Sequence, residues 1–177
     1  MHSNKVMKNS INIQYYKTPY AEFILGSYEG KLCMLDFRYR KMRESVDRRL
    51  KKALSADYVE QDSQVLIQTR EELDEYLRGE RKVFDVPLLV LGSDFQKSVW
   101  KALLEIPYGK TASYLELAKK IGNEKAVRAV ANANGANAIG IIIPCHRIIG
   151  SDGSLTGYGG GLPLKKKLLE LENNLFT

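Results

Sequence analysis

Residues 139–143 read Ile-Gly-Ile-Ile-Ile and are closed at once by Pro144-Cys145-His146-Arg147. This stretch restricts the fold more than any other. A run so apolar must be buried. A proline at its end forces extended geometry on Ile143 and stops strand pairing. The pattern predicts a buried strand over 139–143 that gives way to a loop at Cys145. One of two cysteines and one of two histidines thus stand side by side where rigid scaffold meets open space. A thiol with a base nearby can become a thiolate, the attacking species. A buried cysteine is also a small hydrophobe, and that packing role is the reading for Cys33, flanked by Leu32 and Met34.

The apolar period differs on the two sides of Leu91-Gly92, which suggests two domains, 1–91 and 92–177. Before it, Ala21–Tyr28 and Lys31–Phe37 alternate as strands around a tight turn at Glu29-Gly30. Gln64 to Arg78 carries a helical stripe with Gly79 as its stop, and Val83–Val90 reads as a strand or an extended connection. After it, Ser93 with Gln96 and Ser113 with Glu116 have capping-box spacing. Three helices are expected there: one through Ile106, one opening at Ser113, and one from Glu124 to about Asn134 closed by Gly135. The last two, joined by Gly122-Asn123, fit either a DNA-binding helix-turn-helix or plain helix packing. A final helix follows Pro163. The fold class is α/β (α+β), with a small mixed domain of antiparallel sheet and helix before a mostly helical one.

Charge and cysteine usage narrow the functional classes. Two cysteines and two histidines cannot build a disulfide framework or a zinc site of ordinary composition, so no metal is expected. No apolar run reaches bilayer length, and Met1 to Ser10 is too polar for a signal peptide, so the expected location is the cytoplasm. Net charge is +6, which favours a polyanionic partner such as nucleic acid. The basic segments Arg38–Lys52 and Lys165-Lys166-Lys167 fit either solvated helix faces, the commoner case, or a binding patch. Six of the 14 glycines fall within 150–161. That loop can approach a ligand closely, but it lacks phosphate-loop spacing.

From about Phe95 to Glu172 the chain resembles the methylated-DNA–protein-cysteine methyltransferases, also called O6-alkylguanine-DNA alkyltransferases. The motifs that carry the resemblance are Phe95-Gln96-Lys97-Ser98-Val99-Trp100, the stretch Ile106 to Tyr114, Lys125 to Val130, Asn137, Ile143 to Ile148, and Gly157-Tyr158-Gly159-Gly160-Gly161. The resemblance implies a suicide repair protein that needs no cofactor. It flips an alkylated guanine out of double-stranded DNA and keeps the alkyl group, with O4-methylthymine as a second substrate. It further implies Cys145 as acceptor, His146 as the group that takes the thiol proton through a water, and Glu172 as the carboxylate that orients His146. Asn137 would shape the turn bearing the site. Tyr114 would crowd the target phosphate and later donate a proton to the departing oxygen. Arg128 would fill the gap left by the base, with Lys125 and Ala129 beside it on the DNA. Tyr158, Gly159 and Ile148, with Tyr114, would line the substrate pocket. A monomer with no membrane association and no obligate protein partner is expected.

Two features depart from the family pattern. Ala138 follows Asn137 where many members have proline, and Gly159 stands where some carry a side chain against the base. Two other classes compete. A non-catalytic lesion binder would lack the acceptor, which Cys145 argues against. A cysteine hydrolase would need Cys145 and His146 to face each other, and adjacent residues on an extended segment point apart.

Overall fold

The computed structural model describes residues 9–173. Its first half is a four-stranded sheet: β1 (Asn9–Lys17), β2 (Glu22–Tyr28), β3 (Lys31–Phe37) and β4 (Ala56–Glu60), in spatial order β3-β2-β1-β4. β1, β2 and β3 pair antiparallel, and β4 returns parallel to β1 after helix α1 (Arg43–Leu54). Glu29 and Gly30 both hold positive φ in the β2–β3 turn, as the turn signal predicts. Helix α2 (Gln64–Leu77) starts at Ser63, whose hydroxyl accepts from the Leu66 amide, and the chain turns at Gly79 with φ 75°. β1 and β4 were not anticipated. Val83–Val90 forms no strand, only a single bridge from Leu88 to Leu32.

The second half is mainly helical: α3 (Asp94–Leu103), α4 (Tyr114–Lys120), α5 (Val127–Gly135) and α6 (Leu162–Asn173). Both capping boxes form, with reciprocal bonds in Ser93/Gln96 and in Ser113/Glu116. Two short strands, β5 (Ala112–Ser113) and β6 (Ile148–Ile149), pair in parallel. The stretch 124–126 is a 3-10 turn rather than the start of an α-helix, and Gly135 lies inside α5 rather than capping it.

β3 explains how the halves join. Leu32, Leu35 and Phe37 enter one apolar cluster with Val99, Leu103, Ile143 and Leu168, while Cys33 and Met34 enter another with Ile11, Val46 and Leu50. Burial on both faces makes the strand a continuous apolar run instead of an alternating one. Its outer edge is covered by two irregular segments. Leu32 donates to the Pro87 carbonyl and accepts from Leu89, both at 2.8 Å, while Leu35 donates to Ala138 at 2.9 Å and accepts from Gly140 at 2.7 Å. An exposed strand edge is a template for unwanted pairing, and here it binds the second half of the chain.

The run 139–143 is buried as expected but is not a strand. It touches β3 through one bridge, Leu35 to Ile139, and then turns, with Ile141 at φ 65°. Asn137 explains the difference. Its side-chain oxygen accepts the Ile139 amide at 2.9 Å, and its nitrogen donates to the Ile143 carbonyl at 2.8 Å. One amide thus satisfies groups that would otherwise require a neighbouring strand. A β-branched residue at positive φ is costly, and these two bonds hold the turn in place.

Candidate active site

Cys145 opens a 3-10 turn over Cys145–Arg147. Its side chain lies in the wall of a cavity of about 650 Å³ between the two halves of the chain. The residue is only 9% exposed. Burial pushes the thiol above its ordinary value; the Asn137 side chain and the Arg40 charge pull it partly back. The resting group is therefore a thiol, and a base is needed to remove its proton.

The next residue in the chain is a candidate for that base. His146 is wholly buried, and its Nε2 lies 2.6 Å from Glu172 Oε2. Burial would raise the Glu172 carboxyl, but hydrogen bonds from His146, Arg147 and Tyr76 bring it down to about 2. Arg147 donates through Nε to Oε1 at 2.7 Å and Nη2 to Oε2 at 3.2 Å, while Tyr76 donates its hydroxyl at 2.5 Å. An ionised carboxylate only accepts, so His146 donates through Nε2 and keeps its lone pair on Nδ1. That Nδ1 is buried with no protein partner among the described residues. Burial also pushes the imidazolium form down, so the ring is neutral and ready to accept a proton.

The glycine-rich loop closes another side of the cavity. Tyr158 lines it, with its ring edge-on to Phe37 at 5.3 Å and at 6.4 Å from His146. The Tyr158 hydroxyl is buried without a partner among the described residues. Gly159 also lines the cavity, and a Cβ there would sit 3.1 Å from the Arg40 guanidinium carbon. Tyr114, the first residue of α4, reaches the same wall and accepts a 3.0 Å bond from Thr156 Oγ1. Ile148, directly after the Cys145–Arg147 turn, is fully buried in β6, where its backbone pairs with Ala112, and it is not among the residues that line the cavity.

Helices α4 and α5 form the helix-turn-helix unit. Trp100 of α3 donates to the Ala133 carbonyl at 2.8 Å and fixes α5 from behind. The other face of α5 points outward, leaving Arg128 and Ala129 exposed, as is Lys125 in the 3-10 turn before it, and the same helix reaches the cavity through Ala131 and Asn134. An exposed arginine beside a pocket containing a nucleophile suits a nucleic-acid surface. Among the described residues no cluster of histidine, cysteine and carboxylate side chains could hold a metal ion.

Sequence reading missed three contributors. Tyr76 reads as an ordinary core position of α2, yet it donates to Glu172 across 96 residues of chain. Lys165 stands in a lysine run that reads as solvated, yet it is fully buried and donates through Nζ to the Thr156 carbonyl at 3.0 Å. Arg40, placed on a solvated face, instead bonds Asp36 and the Asn137 carbonyl, at 3.2 and 3.3 Å. Helical spacing offers a cue for Lys165, since Leu164, Lys165 and Leu168 share a buried side; no local cue marks the other two.

Comparison with known proteins agrees with this arrangement. Residues 94–174 match the family model described as the DNA binding domain of 6-O-methylguanine DNA methyltransferase. Residues 11–90 match the model of its ribonuclease-like domain. The methylated-DNA–protein-cysteine methyltransferase of Methanosarcina barkeri is 46% identical over 158 residues, spanning 89% of this chain and 94% of that protein. The protein of the same description from Mycobacterium tuberculosis is 58% identical over 104 residues, 59% of this chain and 63% of that one. The crystal structure of Mycobacterium tuberculosis OGT in complex with DNA superposes with a TM-score of 0.77 at 39% identity, covering 93% of each chain. With a curated relative this similar along nearly the whole chain, and both halves matched in order, the chain belongs to the methylated-DNA–protein-cysteine methyltransferase family.

Proposed function

We propose that this chain repairs O6-alkylguanine in double-stranded DNA by moving the alkyl group onto Cys145, once per molecule. The observation that carries the reading is the position of Cys145 in the wall of a cavity with room for a flipped base, directly before a buried histidine–carboxylate pair. His146 Nδ1 takes the thiol proton through one water. The thiolate attacks the alkyl carbon, the S–C bond forms as the C–O6 bond breaks, and the electron pair leaves with the guanine oxygen. Tyr114 donates a proton toward that oxygen; Thr156 already donates to the Tyr114 hydroxyl, which frees the Tyr114 proton for this use. The product thioether has no easy leaving group, so the protein is consumed.

The remaining assignments follow the same geometry. Glu172 and Arg147 orient His146. Asn137 supports the turn and hydrogen-bonds the sulfur. Tyr158 and Gly159 border the base. α5 enters the DNA, with Arg128 filling the space left by the flipped nucleotide and Lys125 and Ala129 against the backbone. Flipping costs a few kcal/mol, and an inserted side chain offsets part of it. O4-methylthymine is a second substrate of the same pocket. Every group named comes from one chain, so a monomer suffices. Cys33 and Cys145 are both free and buried, and no helix among the described residues is long and apolar enough to cross a membrane. Both facts fit action in the cytoplasm.

The test is stoichiometric. Incubation with a duplex holding one O6-methylguanine should add one methylene unit to the intact mass, on the peptide containing Cys145, with no addition in Cys145→Ala. An unmodified protein, or one that processes many lesions per molecule, overturns the reading.

A further inference from the structure

We propose that the loop 38–42, between β3 and α1, is a second DNA contact: Lys41 meets a backbone phosphate beside the flipped nucleotide, and Tyr39 packs against the same strand. The inference rests on the reading above and adds a surface from the other half of the chain.

Position is the first argument. Tyr39, Lys41 and Met42 line the same cavity as Cys145, together with Ala131, Asn134 and Gly135 of α5. A base that enters this cavity leaves its sugar and flanking phosphates at the opening. Whatever stands exposed on the rim then meets the strand that carries the lesion. Tyr39 is 76% exposed and Met42 48%; Lys41 is exposed and forms no ion pair among the described residues.

The loop is also held rigidly, as a contact surface needs to be. Arg40 points inward, with its side chain 7% exposed against Asp36. It clamps the loop to the end of α5 through the carbonyls of Asn137 and Gly135. Arg38 lies 4.0 Å over the Tyr15 ring and 5.2 Å from the Tyr39 ring. The neighbouring charges are internally matched, since Asp36 and Asp47 both pair with Arg43. Lys41 is left as an available cation and Tyr39 as an available ring, and a cation beside an aromatic face is a common way to track a nucleic-acid strand.

The test is salt-dependent binding to a duplex carrying one O6-methylguanine, in full-length protein with Cys145→Ala so that the complex does not react. Each phosphate contact contributes about 0.9 to the slope of log affinity against log salt. Lys41→Ala should lower that slope by about one and weaken binding at low salt about fivefold, and Lys41→Arg should restore the slope. Tyr39→Ala should weaken binding several-fold and leave the slope unchanged. With Cys145 present, Lys41→Ala should also narrow the ratio of duplex to free-base reaction rates. Unchanged slope and affinity in Lys41→Ala, while Arg128→Ala loses affinity, overturns the loop contact and leaves the repair reading standing. Equal slowing on duplex and free base also overturns it, because the loop then acts on the pocket alone. If Arg128→Ala binds normally and no adduct forms on Cys145, both proposals fall together.

Discussion

Cys33 and Cys145 are chemically the same group in two neighbourhoods. Both are free and buried, and burial raises both thiols, Cys33 to about 12. Cys33 packs between Met34, Ile24 and Leu50, and the space beside it is about 10 Å³, room for a single water at most. Cys145 faces a cavity and is followed in the chain by His146, which pairs with Glu172. Burial and a raised thiol are common to both cysteines, so they cannot set Cys145 apart. What differs is room for a carbon electrophile and an adjacent imidazole whose Nδ1 has no partner among the described residues while its Nε2 meets a carboxylate.

The comparison breaks most cleanly by substitution. Cys145→Ala should abolish methyl transfer from a labelled duplex, whereas Cys33→Ala should keep full stoichiometry and cost about 1–2 kcal/mol of stability in urea unfolding. A Cys33→Ala protein that takes up no label would show that the second cysteine also takes part. Next in size is the relay. Glu172→Gln should slow single-turnover transfer roughly 100-fold, within the range general-base assistance supplies, while binding the duplex as wild type does. Transfer at the wild-type rate would leave Glu172 without an orienting role.

A pH series tests the carboxylate that the Cys145 neighbourhood contains. Glu172 titrates at about 2 when folded and near 4.3 when unfolded. A lowered folded value means its contribution is whole above about pH 4.3 and fades as pH drops toward 2. Over that window the wild type should lose on the order of 2–3 kcal/mol more than Glu172→Gln; equal losses would mean the carboxylate is not held ionised. The smallest effect belongs to the cavity wall. Gly159→Val places a branched side chain where even a Cβ meets the Arg40 guanidinium at 3.1 Å. It should slow transfer of a benzyl group several-fold more than transfer of methyl. Equal slowing would place Gly159 outside the part of the pocket that holds the alkyl group.

What was legible in the sequence was local. Ser93/Gln96 and Ser113/Glu116 announce their helices because both partners of each capping box lie within four residues. The β2–β3 hairpin is legible through its Glu29-Gly30 turn. The run 139–143 misled, because apolar content reports burial and not pairing. The decisive bonds come from the Asn137 amide, and the same amide holds the turn with Ala138 in place of proline. β4 is too short and too exposed to announce itself. In the site, Cys145 and His146 stand out because they are rare residues at a proline break. Tyr76 and Arg40 reach the site through partners far off in sequence, meetings that no periodicity encodes, whereas helical spacing hints at the burial of Lys165 but not at its bond to the Thr156 carbonyl.

The coverage of the β3 edge has an evolutionary and practical side. The segment that carries the nucleophile borrows its backbone partners from Leu35, and the orienting carboxylate borrows a phenol from α2. A truncated gene product beginning at Ser93 would still encode Tyr114, Asn137, Cys145, His146 and Glu172. It would nonetheless lack the scaffold that shapes the Asn137 turn and the hydroxyl that completes the shell around Glu172. The first ninety residues thus supply the backbone and phenol partners on which the arrangement around Cys145 and Glu172 rests.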